Sequence, residues 1–347
     1  MIYLKESIAM RHFILYLFIF FSLPAFADGI KNKRLKIDSL LLELETSENK
    51  LQTNQIKVKL GELYLNIDND KALMYSQEAY EFSVKTENVD IRKNAAYGLA
   101  YFYNGNGTYA KAIKYFIESD DLSRETHDTL GMILCQNGLG NLHLGDNHLE
   151  EALDHFTKAN TLSELFKDTA HVAITYIGMG NTISKMGDNS RALIYYENAE
   201  FIYNKEKDPF VYAGILANKA ESYAAIGDLN KALEHNFESL EVMIELDHGY
   251  GIAILNQNIG GVYLEQEKYA KALPYYNEAI EKNKIIGALD GLQSCYLSIS
   301  EVHKKMNQKD LAYDYLELHI NLKDSLFNIQ NSEVIAEIQN KYDYLVA

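Results

Sequence analysis

Proline, tryptophan and cysteine are scarce in this chain of 347 residues, which has three prolines, two cysteines and no tryptophan. Because proline disrupts helix interiors, its scarcity beside abundant Ala, Leu, Glu and Lys predicts helix along nearly all of the chain. Basic residues are also in the minority: 33 Lys and Arg stand against 49 Asp and Glu, and the formal net charge is −16. This balance argues against nucleic acid as a partner and favours basic partners.

The N-terminus has the three parts of a secretory signal peptide. Lys5 and Arg11 precede the apolar run FILYLFIFF at residues 13–21, and a small-residue A-x-A pattern ends at Ala27. We therefore predict a signal peptide over 1–27 and an exported, periplasmic chain of a bacterium. The alternative, a membrane anchor, is disfavoured because spanning a bilayer needs about 20 apolar residues.

A repeat with an offset of 40 residues runs through the chain. The stretch GLGNLHLGDNHLEEALDHFTKA at 138–159 aligns with GMGNTISKMGDNSRALIYYENA at 178–199. A degenerate first copy near Gly61 brings the number of copies to seven. The six regular copies share a small residue followed twelve positions later by alanine: Ala100 and Ala112, Gly140 and Ala152, Gly180 and Ala192, Ala220 and Ala232, Gly260 and Ala272, Ser300 and Ala312.

This pattern, G-x-x-Y followed by A-x-x-x-[FY]-x-x-A, resembles the tetratricopeptide repeat, a helix–turn–helix unit of superhelical scaffolds. The resemblance implies an all-α fold, a right-handed α-solenoid of about seven such repeats, with a protein or peptide as its partner. The usual unit has about 34 residues, so the chain resembles a longer-repeat branch of the family. Such hairpins cannot bury their apolar faces alone and therefore stack on their neighbours.

The repeat divides the chain into segments. After the signal peptide we expect an N-terminal capping helix over 28–50, seven repeats over 51–328, and a C-terminal capping or connecting helix over 329–347. Translation could start at Met1 or at Met10, since either start leaves a complete signal sequence.

The connections between helices have recognisable turn residues. Asp128, Asp168 and Asp208 recur every 40 residues and are predicted to cap first helices, with Pro209 at a first helical position. The turn inside the hairpin is predicted at three Gly-Asp pairs: Gly145-Asp146, Gly187-Asp188 and Gly227-Asp228.

The glycines of the 138–145 stretch imitate a dinucleotide-binding turn, but the position of the third glycine is His143. A phosphate loop follows a strand, whereas this stretch lies inside a predicted helix, so we interpret its glycines as packing residues. The ten histidines include no H-E-x-x-H motif, and the chain has no catalytic spacing. We therefore predict no metal, no cofactor and no enzymatic activity.

The two cysteines occupy the same position of different repeats. Cys135 and Cys295 are four repeats apart, which exceeds the Cα separation of about 7 Å that a disulfide allows. We predict two buried free thiols.

Asparagines on the first helix of each repeat are the candidate ligand-binding residues. The resemblance places this helix on the inner, concave wall, where an amide with one acceptor and two donors can bind the backbone of an extended peptide. The alternative is that these asparagines bind neighbouring helices or water. The candidates are Asn141 and Asn181, just after the small position, Asn218 and Asn258, two before it, and Asn137 and Tyr101 on the same wall.

The segment LKDSLFNIQNSEVIAEIQNKYD at 322–343 resembles the end of exported tetratricopeptide sensor regions in bacterial signalling proteins. In those proteins a membrane helix and an output domain follow, often a histidine kinase or a diguanylate cyclase. The alternative function is thus the periplasmic sensory input region of such a protein. Membrane contact is expected only through the signal peptide or through a segment beyond Ala347.

Overall fold

The computed structural model describes residues 26–65 and 67–326, which form fifteen helices joined by short turns, without a strand. In this part of the chain no helix is both long and apolar enough to cross a membrane. Residues 1–25 of the predicted signal peptide and the whole of the predicted C-terminal helix over 329–347 lie outside the described residues. The helices are α1 (Phe26–Thr46), α2 (Lys50–Tyr64), α3 (Asn69–Thr86), α4 (Val89–Gly105), α5 (Tyr109–Glu125), α6 (Thr129–Gly145), α7 (Leu149–Leu165), α8 (Thr169–Lys185), α9 (Asn189–Ile202), α10 (Pro209–Ala225), α11 (Leu229–Glu245), α12 (Gly249–Glu265), α13 (Tyr269–Ile286), α14 (Leu289–Lys305) and α15 (309–326).

The helices divide into two compact units, and the division falls inside α10, between Asn218 and Lys219. In the N-terminal unit, α2, α4, α6 and α8 form one layer, since each contacts the next, and each also contacts the helix that follows it in the chain. In the C-terminal unit α12 likewise contacts α13 and α14. Stacked helical hairpins of this kind make an all-α solenoid, as the sequence predicts.

Aromatic rings of the second helices fill the space beside glycines of the first helices. The Phe156 ring lies between its own hairpin and the next, where a Cβ added to Gly140 or Gly178 would approach it to 2.9 or 2.4 Å. Gly138 faces Phe116 in the same way, at 2.4 Å. The glycines of the 138–145 stretch thus lie in α6, where the first two pack against rings.

A second set of rings connects the two helices of a hairpin. The ring three positions after the small residue stacks on a ring of the following helix, with centroids 5.2 to 5.8 Å apart. Stacked rings add stability beyond the area that they bury. The six pairs are Tyr64 and Tyr75, Tyr103 and Tyr115, His143 and His155, Tyr223 and His235, Tyr263 and Tyr275, and His303 and Tyr315.

The predicted aspartate caps are confirmed. The side chain of Asp128 accepts a hydrogen bond from the backbone amide of Gly131 at 3.0 Å, and Asp168 accepts one from His171 at 3.2 Å. Asp208 accepts from the amide of Val211 at 3.1 Å, ahead of the helix that begins at Pro209. Each cap satisfies an amide at the helix start that has no carbonyl partner within the helix.

The prediction for one turn was wrong. Gly187 and Gly227 have positive φ angles of 94° and 86° at the end of their hairpin turns, but the equivalent residue of the third repeat is Asn147, at 62°. Gly145 lies two positions earlier and is the last residue of α6. Asparagine tolerates the left-handed conformation better than most residues, which explains how the turn forms there without glycine.

Both cysteines are buried and free, as predicted. Burial raises the pKa of the Cys135 thiol and of the Cys295 thiol to about 12. At neutral pH both side chains are therefore protonated thiols that pack as small apolar groups.

Candidate peptide-binding face

The geometry of α6 defines an inner face of the N-terminal unit. Gly138 and Gly140 face the rings of the second helices, and Leu139 between them is buried in the same cluster. Because successive residues of a helix are about 100° apart, Asn137 and Asn141 project from the side of α6 opposite Leu139. The same two rows, four residues apart, recur on α2, α4 and α8. We call the surface of these rows the inner face.

Asn137 is the residue of this face that the fold itself leaves unexplained. Its side chain is 5% exposed, and among the described residues neither its amide nitrogen nor its carbonyl oxygen has a hydrogen-bond partner. Leaving a buried polar atom without a partner costs about 1–3 kcal/mol. Asn141 is only partly buried, one helical turn along the same face.

Two tyrosines of α4 occupy the same rows in the preceding repeat. The rings of Tyr97 and Tyr101 lie 4.9 Å apart, and both pack edge-on against Phe116, at 6.0 and 5.4 Å. Burial raises the pKa of each phenol, so both are neutral donors and acceptors at physiological pH. The charges of Tyr101, of Cys135 and of Glu62 in α2 raise the pKa of Tyr97 further.

Asn181 and Asn218 are joined in a network that involves a tyrosine. The Oδ1 atom of Asn181 accepts hydrogen bonds from the Tyr196 hydroxyl at 2.8 Å and from the Nδ2 atom of Asn218 at 3.0 Å. Phe116 and Phe156 hold the position of Tyr196 in earlier repeats and have no hydroxyl to satisfy. The Asn181 oxygen is therefore satisfied within the fold by the Tyr196 hydroxyl and the Asn218 amide.

Asn258 and Asn218 occupy a different row from Asn141 and Asn181. Their row is the one in which Gly138 and Gly178 face a ring of the preceding hairpin. In the C-terminal unit Asn258 is partly exposed on α12. The sequence candidates thus divide into an inner-face row and a packing row, a distinction that their residue type alone does not reveal.

In the C-terminal unit, two glutamates lie in the row that corresponds to Asn141. Glu221 of α10 holds the position of Asn141, and burial raises its pKa to about 8. Glu301 holds the same position on α14 and is partly buried.

The histidines at 143, 148 and 155 come together but do not form a metal centre. His143 stacks on His155 with centroids 5.2 Å apart, and its ring lies 5.9 Å from that of His148. Burial lowers the pKa of His143 and of His155. Nowhere in the described residues are three or more His, Cys, Asp or Glu side chains arranged to hold a metal ion.

Tyr97 and Glu62 belong to this face although the sequence analysis did not include them. Tyr97 lies four residues before Tyr101, the spacing that places two side chains on one helical face. Glu62 follows Gly61, the small residue of the degenerate first copy, as Tyr101 follows Ala100. Both could have been found by extending the two rows to every repeat.

Stacked hairpins with a polar inner face define the class of α-solenoid scaffolds, and comparison with known proteins specifies the family. The tetratricopeptide-repeat family model matches residues 92–164 and 212–284. The chain is a tetratricopeptide-repeat protein. A search of curated proteins found no sequence match.

Solved structures with the same fold share little sequence with the chain. The apo form of RapI has a TM-score of 0.64 and 14% identity over 79% of this chain and 99% of its own. A Rap protein complexed with competence and sporulation factor has a TM-score of 0.55 and 13% identity over 86% of this chain and 99% of its own. A signal transduction ATPase of Pyrococcus horikoshii with a tetratricopeptide repeat sensor reaches 0.66 at 14% identity, over 86% of this chain but 45% of its own.

Proposed function

We propose that the protein is an exported, non-enzymatic scaffold that binds an extended peptide or protein segment on its inner face. The observation that carries this proposal is Asn137, whose amide is buried with both its donor and its acceptor unpaired. The Rap protein of the same fold that is complexed with competence and sporulation factor shows that this architecture can hold a ligand. The tetratricopeptide-repeat fold also supports a role in protein interaction.

A peptide backbone supplies what the Asn137 side chain needs. An amide side chain and a peptide group can each donate and accept, so two parallel hydrogen bonds form between them. Asn141, partly exposed one turn away, can contact the next part of the same segment. Because this contact is made to the peptide backbone, it recognises an extended conformation and does not require a particular side chain in the ligand.

Asn137→Leu should abolish ligand binding without lowering the free energy of unfolding. The leucine fills a similar volume and removes two buried unpaired atoms, so we expect unchanged or higher stability. The probe is a peptide selected on the wild-type protein from a display library of linear peptides, measured by titration calorimetry. If wild type selects no peptide, or if Asn137→Leu binds as wild type does, this proposal is wrong.

Asn181→Ala is the matched comparison within the same unit. It removes the acceptor of the Tyr196 hydroxyl and of the Asn218 amide, so it should lower the free energy of unfolding by about 1–3 kcal/mol. If Asn181→Ala loses both stability and ligand binding, the loss of binding is explained by damage to the fold. Asn137→Leu separates the effect on binding from the effect on stability, because we expect it to change binding alone.

Export is part of this proposal and is supported by the signal-peptide pattern before Ala27. When the chain is expressed in a Gram-negative bacterium, the protein in the periplasmic fraction should begin at Asp28 by N-terminal sequencing. Full-length protein confined to the cytoplasmic fraction would contradict export and leave the binding proposal intact.

The second candidate function is a sensory input region. It is favoured by the resemblance of 322–343 to sensor regions and by the Pyrococcus horikoshii ATPase, in which a tetratricopeptide repeat sensor is part of a longer chain. The coding sequence after Ala347 distinguishes the candidates. A membrane helix followed by kinase or cyclase motifs would establish the sensory role, and a stop codon there would exclude it.

A further inference from the structure

Within the part of the chain that the structure describes, the last helix, α15, has an uncovered apolar face. Leu316 lies four positions after the repeat alanine of α15 and is 37% exposed. Ile320 is 47% exposed, whereas its equivalent on α13, Ile280, is 5% exposed in a cluster with residues of α14. The surface that the next hairpin covers in other repeats is therefore open on α15. On the second helices from α5 to α13, the residues equivalent to Leu316 are at most 2% exposed: Phe116, Phe156, Tyr196, Asn236 and Tyr276.

The open face is turned away from α14, the other helix of the hairpin. α15 contacts α14 through His319, whose Nδ1 atom lies 2.9 Å from the carbonyl oxygen of Gln293. Tyr313, Leu316 and Ile320 are three and four residues apart, the spacing of side chains that share one face of a helix. We call these three exposed residues the end face. It is the surface on which a solenoid stacks its next unit.

The sequence that follows continues the repeat. Residues 329–345 stand 40 positions after α14 and have its length, 17 residues. Asn328 before them holds the position of Asn88 and Asp128, whose side chains accept hydrogen bonds from backbone amides at the start of α4 and α6. The segment therefore has the length and the cap of a first helix. Its apolar residues recur at helical spacing and would share one face: Val334, Ile335, Ile338, Tyr342 and Leu345.

Contacts in earlier repeats specify which residues would meet across the end face. A Cβ added to Gly138 of α6 would lie 2.4 Å from the ring of Phe116 on α5. The equivalent pair after α15 is Leu316 and Ile338, at the same sequence separation. Leucine is smaller than phenylalanine, so it leaves room for the isoleucine that replaces the glycine.

A second contact gives an apolar pair as well. The Thr175 hydroxyl of α8 donates a hydrogen bond to the Oδ1 atom of Asn160 on α7 at 2.8 Å. The equivalent residues after α15 are Ile320 and Ile335. Both pairs that the repeat geometry predicts are thus aliphatic, as a buried contact requires.

The other side of the segment is suited to solvent. Asn340 holds the small position, at which Gly140 packs on the Phe156 ring of its own second helix. A polar amide there fits a helix on which no second helix packs. A helix with a single apolar face covers one surface and leaves a polar outer side, as the end of a solenoid requires.

We propose that residues 329–345 form the first helix of an eighth, half repeat, which packs on the end face and closes the C-terminal unit. Leu316 contacts Ile338, and Ile320 contacts Ile335. The inference goes beyond the proposed function and does not depend on it. It decides between a capping and a connecting helix in favour of the cap.

The test is disulfide formation in the full chain. Leu316→Cys/Ile338→Cys and Ile320→Cys/Ile335→Cys should each form an intramolecular disulfide, because a disulfide requires Cα atoms within about 7 Å. The control, Leu316→Cys/Asn340→Cys, should not. Non-reducing electrophoresis and peptide mass mapping identify the linked residues. The native cysteines do not compete, since burial raises the pKa of both thiols to about 12.

Thiol reactivity gives a second measurement that needs no cross-link. A thiol in Leu316→Cys should react with a thiol reagent at least about tenfold more slowly than one in Leu318→Cys, which lies elsewhere on α15. Adding Ile338→Asp should remove this difference, because a carboxylate disfavours the apolar contact, and adding Asn340→Asp should preserve it.

Three outcomes would overturn the inference. Disulfide-linked dimers of Leu316→Cys alone would show that a second copy of the chain covers the end face. Equal cross-linking in the Asn340→Cys control, or none in either predicted pair, would show that the segment does not pack there as a helix in this register. None of these results bears on peptide binding through Asn137.

Discussion

Replacing Gly138 by alanine should lower the free energy of unfolding of the N-terminal unit by about 1–3 kcal/mol, although alanine is the better helix former. The added Cβ would lie 2.4 Å from one ring atom of Phe116 and 2.5 Å from another. That ring cannot move away, because it is fully buried and is packed against Tyr97 and Tyr101. The helical propensity gained, about 1 kcal/mol, is smaller than the cost of overpacking. Denaturant unfolding followed by circular dichroism measures the difference.

Gly145→Ala is the control in the same helix, since nothing lies within 4 Å of the Cβ that it adds. It should leave stability unchanged or slightly raised. In the double variant Gly138→Ala/Phe116→Leu, the smaller side chain should make room for the methyl group. The two changes together should then cost less than the sum of their separate effects. A destabilisation by Gly145→Ala equal to that of Gly138→Ala would mean that helix flexibility, and not the ring contact, requires the glycine.

The architecture could be predicted from the sequence because it depends on local, periodic features. Three features follow from the residue type at a fixed repeat position: the aspartate caps, the His143 ring at the position where other repeats have tyrosine, and the two buried thiols. The turn after α6 was predicted at the wrong residues because Gly145 is a glycine, the residue type expected in the turn, but lies two positions before the residue that adopts the left-handed conformation. Asn147 has the register, and its left-handed conformation is visible only in the backbone angles.

The inner face could be predicted only in part. Asn137 and Asn181 were both candidates by residue type, yet one is buried without partners and the other accepts two hydrogen bonds. Asn181 has its two partners because α9 of the same hairpin supplies Tyr196 and α10 supplies Asn218, residues that lie 15 and 37 positions away in the sequence.

Glu221→Gln should raise the free energy of unfolding at pH 8.5, on the order of 2 kcal/mol, and change it little at pH 5. Burial raises the pKa of Glu221 from its ordinary value of 4.5 to about 8. Between these values the folded state holds a proton that the unfolded state has released, so the stability of wild type falls as the pH rises through this window. Glutamine resembles the protonated acid and does not incur that loss. The gain is smaller than the full pKa shift implies, because Glu221 keeps some contact with solvent.

Unfolding midpoints of the two proteins, measured from pH 5 to pH 9, should therefore diverge progressively and become parallel above about pH 8. Glu241→Gln, which removes an exposed carboxylate of α11, should change stability by less than about 0.5 kcal/mol at every pH. Curves for Glu221→Gln that run parallel to wild type from pH 5 upwards would show that solvent reaches this carboxylate freely. A diverging pair would show that the C-terminal unit, like the N-terminal one, retains a costly polar group on its inner-face row. Packing alone does not require such a group, whereas a ligand that contacts this row would.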